Sequence, residues 1–179
     1  MAAAELAYPY KSDQPFVISA GGSAYFDIVA RELNKFEKPR RLLLRSGGYI
    51  THDHKYYEEI YPFASTDRSF QPAIEVWAQV ISKPERGFGV LNLGKRDIGN
   101  DLHNPIPIKS YDGQVKSFSA VIEKLNDQHA FMKISPGTAA VGDIICCGIS
   151  HPCTNFDKWQ LLPLVNDNYD VIDLVHTHF

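Results

Sequence analysis

Ala73-Ile74-Glu75-Val76-Trp77-Ala78-Gln79-Val80 puts Ile74, Val76, Ala78 and Val80 on one side of an extended chain and Glu75, Trp77 and Gln79 on the other. A period of two is the mark of a half-buried strand, because successive side chains leave a pleated backbone on opposite faces. Further short strands are predicted at 88–93, 116–124, 129–134, 143–149 and 169–176. Turn-forming clusters separate them: Lys83-Pro84-Glu85-Arg86-Gly87, Asn104-Pro105, Tyr111-Asp112-Gly113 and Ser135-Pro136-Gly137. Short strands punctuated in this rhythm point to an all-β barrel or sandwich.

Upstream the period changes. Phe16-Val17-Ile18-Ser19-Ala20 reads as a strand running into the turn Gly21-Gly22-Ser23. Phe26, Val29, Leu33 and Phe36 then recur at spacings of three and four, the apolar stripe of a helix that Ser23 is placed to cap and Pro39 follows. Arg41–Ile50 is strand-like up to the Gly47-Gly48 break. The expected fold is therefore mainly β, with a lead-in and one βα unit in residues 1–39 and a β-domain in 40–179. A single βα unit leaves its strand edge unpaired and its helix half covered, so it is expected to belong to a larger architecture.

Composition narrows the function. The 179 residues are 44% apolar, enough for a real core, and 18 basic against 21 acidic residues give a net charge of -3. Without a positive field, nucleic acid and anionic membranes are not expected partners. The opening Met1-Ala2-Ala3-Ala4-Glu5-Leu6 has no basic leader character, and no stretch approaches the roughly 18 apolar residues of a membrane span. A cytoplasmic protein is expected. Three cysteines are too few for a disulfide framework, and the neighbours Cys146 and Cys147 would face opposite sides of a strand.

Several polar segments could carry chemistry. In Ser150-His151-Pro152-Cys153-Thr154, an extended backbone would turn His151 and Cys153 to one side, with Pro152 restricting φ. Imidazole and thiolate together suit zinc. The rival is the run Leu44-Arg45-Ser46-Gly47-Gly48-Tyr49-Ile50-Thr51-His52-Asp53-His54, where His52 and His54 also have chelate spacing and Asp53 could instead cap a solvated loop. Gly21, Gly22 and Ser23, between strand and helix, make a candidate anion site from backbone N–H groups and the helix dipole. Lys95 in Gly94-Lys95-Arg96-Asp97 could offer an amine, and His129 in Asn126-Asp127-Gln128-His129 could sit at a site mouth. Each of these segments equally suits a plain turn.

Read in order, Ser19–Ser23, Leu44–Asp53, Leu93–Asp97, Leu125–Ala130, Ser150–Trp159 and His176–Phe179 resemble the motifs of the D-threonine aldolase and D-serine dehydratase-like enzymes. These are pyridoxal-phosphate enzymes of the alanine racemase type, and the resemblance is closest to the amino acid deaminases. It implies that residues 16–36 are the last strand and helix of a TIM-type barrel, with Gly21, Gly22 and Ser23 near the cofactor phosphate, and that 40–179 form the C-terminal β-domain. It further implies a metal, zinc for this donor set, on His151 and Cys153, with His129 and Tyr49 as candidate catalytic residues. Cys153 and Gln128 tilt the likeness toward the deaminase and dehydratase side. The implied substrates are β-hydroxy-D-amino acids such as D-serine or D-threonine, and the implied assembly is a homodimer. The barrel that bears the cofactor's lysine has no counterpart in these residues, so a partner barrel domain is expected.

Overall fold

In the computed structural model, which describes residues 16–35, 40–63 and 69–178, two strands pair in parallel: β1 (Phe16–Ala20) and β2 (Arg40–Leu44). Parallel neighbours need a crossover, and α1 (Phe26–Leu33) supplies it. The unit is thus βαβ, and the strand expected to open the β-domain is paired within it. Phe36 and Pro39 lie outside the described residues. Ser23 does not cap the helix: the N-cap position is Tyr25, with no side-chain cap. The turn is made instead by Gly22, whose φ of 145° suits only glycine, and by the Tyr25 N–H donating to the Gly22 carbonyl at 2.9 Å. Leu33 is buried, yet Val17, Leu42, Leu43 and Leu44 are exposed. Apolar residues on a parallel strand pair normally lie under a cover on both faces.

Residues Met1–Gly47 form one compact unit and Gly48–Phe179 a second. The second opens with short helices, α2 (Gly48–Thr51) and α3 (Tyr56–Ile60), and continues as β3 (Glu75–Ser82), β4 (Phe88–Leu91), β5 (Ile106–Tyr111), β6 (Val115–Ser117), β7 (Val121–Leu125), β8 (Ala130–Lys133) and β9 (Ile144–Gly148). These seven strands form one antiparallel sheet in the order β6-β5-β9-β3-β4-β8-β7. A four-residue helix, α4 (Cys153–Phe156), and a separate hairpin of β10 (Leu161–Val165) and β11 (Val171–His176) follow.

The stretch 116–124, predicted as one strand, is two, and they lie at opposite edges of the sheet. From Ser117 to Val121 an extended chain reaches at most about 14 Å, whereas a flat sheet of seven strands would hold its edges about 29 Å apart. The sheet must therefore curl, and β5 and β7 do come into contact. Its hydrogen bonding remains open. Asn104 Nδ2 bridges the gap, donating to the β7 carbonyls of Ile122 at 2.9 Å and Glu123 at 3.3 Å. Inside the curl lie Ala78, Val80, Leu91, Leu93, Ile98, Ile122, Met132, Ile134, Ile145 and Ile149, all buried. Each large apolar side chain contributes about 1.5–3 kcal/mol by leaving water. Among the described residues no helix is long and apolar enough to cross a membrane.

The hairpin is fastened to the sheet by one polar knot. Lys109 Nζ on β5 donates to Glu75 Oε1 at 2.6 Å and to Tyr169 Oη at 2.7 Å, and Tyr169 Oη donates to Glu75 Oε2 at 2.9 Å. Trp77 stands edge-on to the Tyr169 ring, centroids 5.1 Å apart. Tyr169 has a φ of 65°, a left-handed conformation unusual for a bulky residue, and Asn166 Oδ1 holds the turn by accepting from the N–H groups of Asn168 and Asp170. Burial pushes the Glu75 carboxyl up, but hydrogen bonds from Lys109 and Tyr169 outweigh it and leave the group below its usual range. A depressed folded-state pKa stabilises the fold above the unfolded value, and the contribution is lost as pH falls through the folded one. Glu75→Gln should therefore cost about 1–2 kcal/mol at neutral pH, the low end of a buried charged pair because Lys109 keeps part of its hydration. Denaturant melts should show the deficit shrinking as the pH drops below about 4; a deficit equal at all pH values would refute the assignment.

Candidate functional site

β9 pairs with β5 on one edge and β3 on the other, and its end leads into buried Ser150 and half-buried His151. Ser150, fully buried, accepts the N–H groups of Leu102 at 3.1 Å and His103 at 3.0 Å on its Oγ. Asn155 straps the same segment, its amide nitrogen donating to the His151 carbonyl and its Oδ1 accepting the Gly99 N–H at 2.9 Å. The loop 98–103 is in this way tied across residues 150–155.

The extended arrangement expected for His151-Pro152-Cys153 is not what forms. Pro152 has φ -69° and ψ -31°, helical values, and Cys153 is the first residue of α4. A proline's fixed φ serves the start of a helix as well as an extended segment, so only ψ separates the two. Cys153 is exposed, and its thiol is pushed up by burial of its inner side and then by the nearby Asp101 carboxylate. The ring of His151 lies against Tyr57, centroids 5.5 Å apart, and Tyr56 at 6.4 Å. Its Nδ1 is buried with no hydrogen-bond partner. Among the described residues no three His, Cys, Asp or Glu side chains converge as a metal-binding group.

The rival pair is differently employed. His52 has a left-handed φ of 54° and is buried, with Nδ1 2.8 Å from the Asp53 carbonyl. Asp53, fully buried, accepts the N–H groups of Lys55 and Tyr57 on Oδ1, each at 3.0 Å. His54 packs its ring on β9 so closely that a Cβ on Gly148 would come within 2.3 Å of its Cγ. Burial holds the His54 imidazole below its usual pKa.

Two other predicted segments come together. Lys95 N–H donates to the Asn126 carbonyl at 2.9 Å and Arg96 N–H to Asp127 at 3.1 Å, clamping residues 94–96 onto the β7–β8 turn. Gly94 is required there, since a Cβ would sit 2.2 Å from the Asp127 carbonyl oxygen. His129, exposed, lines a polar cleft with Lys95, Lys124, Asn126, Asp127 and Gln128. Tyr49 lies on α2 with its ring 5.9 Å from Phe70.

In the βαβ unit, Gly21 follows β1 and Ser46 follows β2, so both turns leave the same ends of parallel strands, where α/β folds bind anions. A Cβ on Gly21 would lie 3.5 Å from the Ser46 nitrogen, and Ser46 Oγ is buried without a partner. Sequence reasoning singled out Gly21, Gly22 and Ser23, and quoted Ser46 within the run 44–54 without joining it to them; the parallel pairing of β2 is the signal that brings the two together.

No curated protein matches the sequence significantly. The structure is similar to D-threonine aldolase from Filomicrobium marinum, with a TM-score of 0.70 and 19% identity over 90% of this chain and 40% of that one. It is similar also to D-threo-3-hydroxyaspartate dehydratase from Delftia sp. HT23, with a TM-score of 0.57 and 14% identity over 90% of this chain and 44% of that one. A cysteine-to-alanine mutant of D-threo-3-hydroxyaspartate dehydratase in the metal-free form gives 0.54 and 13% over 80% and 40%. At such identities the likeness is one of fold, and the chain spans less than half the length of these solved relatives. The family described as "Putative serine dehydratase domain" matches residues 73–165, which run from the start of β3 through β10. That match takes in more than half of the chain, which therefore belongs to the D-serine dehydratase and D-threonine aldolase-like family and corresponds to its C-terminal portion.

Proposed function

We propose that this chain carries the metal-holding β-domain of a pyridoxal-phosphate-dependent lyase that removes water and ammonia from, or cleaves, β-hydroxy-D-amino acids such as D-serine or D-threonine. The observation that carries the reading is His151 Nδ1, buried and without a partner, two residues from the exposed Cys153 thiol. An imidazole nitrogen without a partner and a free thiol are donors that zinc accepts. With two protein ligands, the other coordination positions would be left for water and substrate, as in catalytic zinc sites. The metal-free form named for a related dehydratase supports a metal in this fold.

A divalent metal bound there would act as a Lewis acid on the β-hydroxyl of the substrate. Pyridoxal phosphate, when bound, supplies an electron sink for charge developing at Cα. The chain's own contribution is to hold: His151 and Cys153 the metal, and the Gly21-Gly22-Ser23 turn with Ser46 an anionic phosphate. The orphaned Ser46 hydroxyl and the glycine backbone fit such a group. His129 and Tyr49 are the candidate proton carriers. The reading places the lysine that bears the cofactor in a barrel domain, since Lys95 stands exposed on a turn whose backbone is clamped to Asn126.

Purified chain loaded with zinc should bind one equivalent, and His151→Ala with Cys153→Ala should lose it. Stoichiometric zinc in the double variant would refute the ligand assignment. Pyridoxal phosphate added to the chain should produce no lysine-linked absorbance band; a band abolished by Lys95→Ala would return Lys95 to the cofactor site.

A further inference from the structure

His52 and His54 have the spacing of a rival metal pair, and the segment Thr51–Tyr61 that holds them has a different relation to His151 in the structure. It touches the His151 segment at three levels. The His54 ring fills the space over Gly148, the His54 N–H points to the Ile149 carbonyl at 3.4 Å, and the rings of Tyr56 and Tyr57 wall the His151 imidazole. Tyr57 is central. It is 2% exposed and lies between two imidazoles, His52 at 5.8 Å and His151 at 5.5 Å.

What fixes Tyr57 is Asp53. Its Oδ1 accepts the N–H groups of Lys55 and Tyr57, two of the donors that a helix start leaves without intrahelical partners. α3 spans only Tyr56–Ile60, too short to persist by its own hydrogen bonds. The carboxylate therefore holds the first turn of the helix and, with it, the backbone position of Tyr57. A buried carboxylate beside a strained residue, His52, is a costly arrangement to keep for a plain surface loop.

We propose that Asp53 is a positioning residue for the metal ligand His151, acting through Tyr57: it fixes α3, and α3 sets the orientation in which the His151 imidazole presents Nδ1. The inference rests on the reading of His151 and Cys153 as metal ligands. Residues behind a ligand that set its orientation change metal affinity by about 10–100-fold when removed.

The test uses the full chain with Co2+ as the probe, measuring affinity by chelator competition together with the ligand-field absorbance. Asp53→Ala should weaken binding about tenfold or more and shift the absorbance. Asp53→Asn, whose Oδ1 can accept the same two N–H groups, should stay within about threefold of the parent. Tyr57→Leu keeps the Asp53 contacts and removes the ring, so it should bind weakly too, and it decides the matter if Asp53→Ala does not fold. His151→Ala should abolish binding. Parent-like affinity and absorbance in folded Asp53→Ala, or in Tyr57→Leu, would overturn the positioning role while leaving the metal site standing. Asp53→Asn as weak as Asp53→Ala would also overturn it, replacing orientation with charge. Parent-like binding in His151→Ala would overturn the metal reading and this inference with it.

Discussion

β9 is the constraint on which the β-domain depends. It is the strand with partners on both edges that also ends at the candidate site, and Ile145, Cys146, Cys147, Gly148 and Ile149 are all buried. A strand enclosed on both faces needs apolar or small residues throughout, and Ile144-Ile145-Cys146-Cys147-Gly148 meets that need. The two cysteines serve as compact core groups: Cys147 joins the apolar interior, where burial pushes its thiol up to about 12, and Cys146 is raised by burial and by Glu75. Gly148 has a separate reason, since only a missing side chain admits the His54 ring. Core packing and site placement thus meet in one strand.

The β-architecture was legible where one face is buried and the other wet. β3 shows it best, with Ala78 and Val80 buried and Gln79 exposed between them. Two strands were hidden by proline. β5 contains Pro107 and β10 contains Pro163, and proline reads as a break because it cannot donate to a ladder. β10 belongs to a two-stranded hairpin and so needs only one ladder, whereas in β5 the pairing with β9 shifts register just after Pro107. The division of 116–124 was hidden for another reason. Phe118 and Ala120 pack against the core, so the apolar content continues while the chain crosses from one edge of the sheet to the other.

The candidate segments were legible as an inventory, and their geometry was less so. His151 and Cys153 stand at the end of β9 as the motif suggested, but the backbone between them is helical, a choice that proline leaves open. The run His52-Asp53-His54 has the composition of a solvated loop, and polarity alone gives no sign that His52 and Asp53 are almost wholly inaccessible. Their burial depends on the fold of the next turn of chain: the rings of Tyr57 and Tyr61 pack on His52, and the backbone of Lys55 and Tyr57 closes over Asp53. The clamp between Gly94 and the β7–β8 turn was equally invisible, because two backbone hydrogen bonds carry no side-chain pattern.

Buried polar atoms without partners gather around His151, and they bear on what the β-domain is for. A left-handed histidine and buried polar atoms without partners on His52, Asp53, His54 and His151 each oppose folding by about 1–3 kcal/mol. Elsewhere in the domain the polar groups are handled differently. Glu75, Lys109 and Tyr169 satisfy one another in a closed knot, and Ser150 and Asn155 each hold two segments together. The domain satisfies its polar groups at the hairpin, yet leaves buried atoms of His52, Asp53, His54 and His151 without partners. On the proposed reading the unpartnered Nδ1 of His151 is what a bound metal would satisfy, and that supports the reading in a way the spacing of histidine and cysteine alone does not.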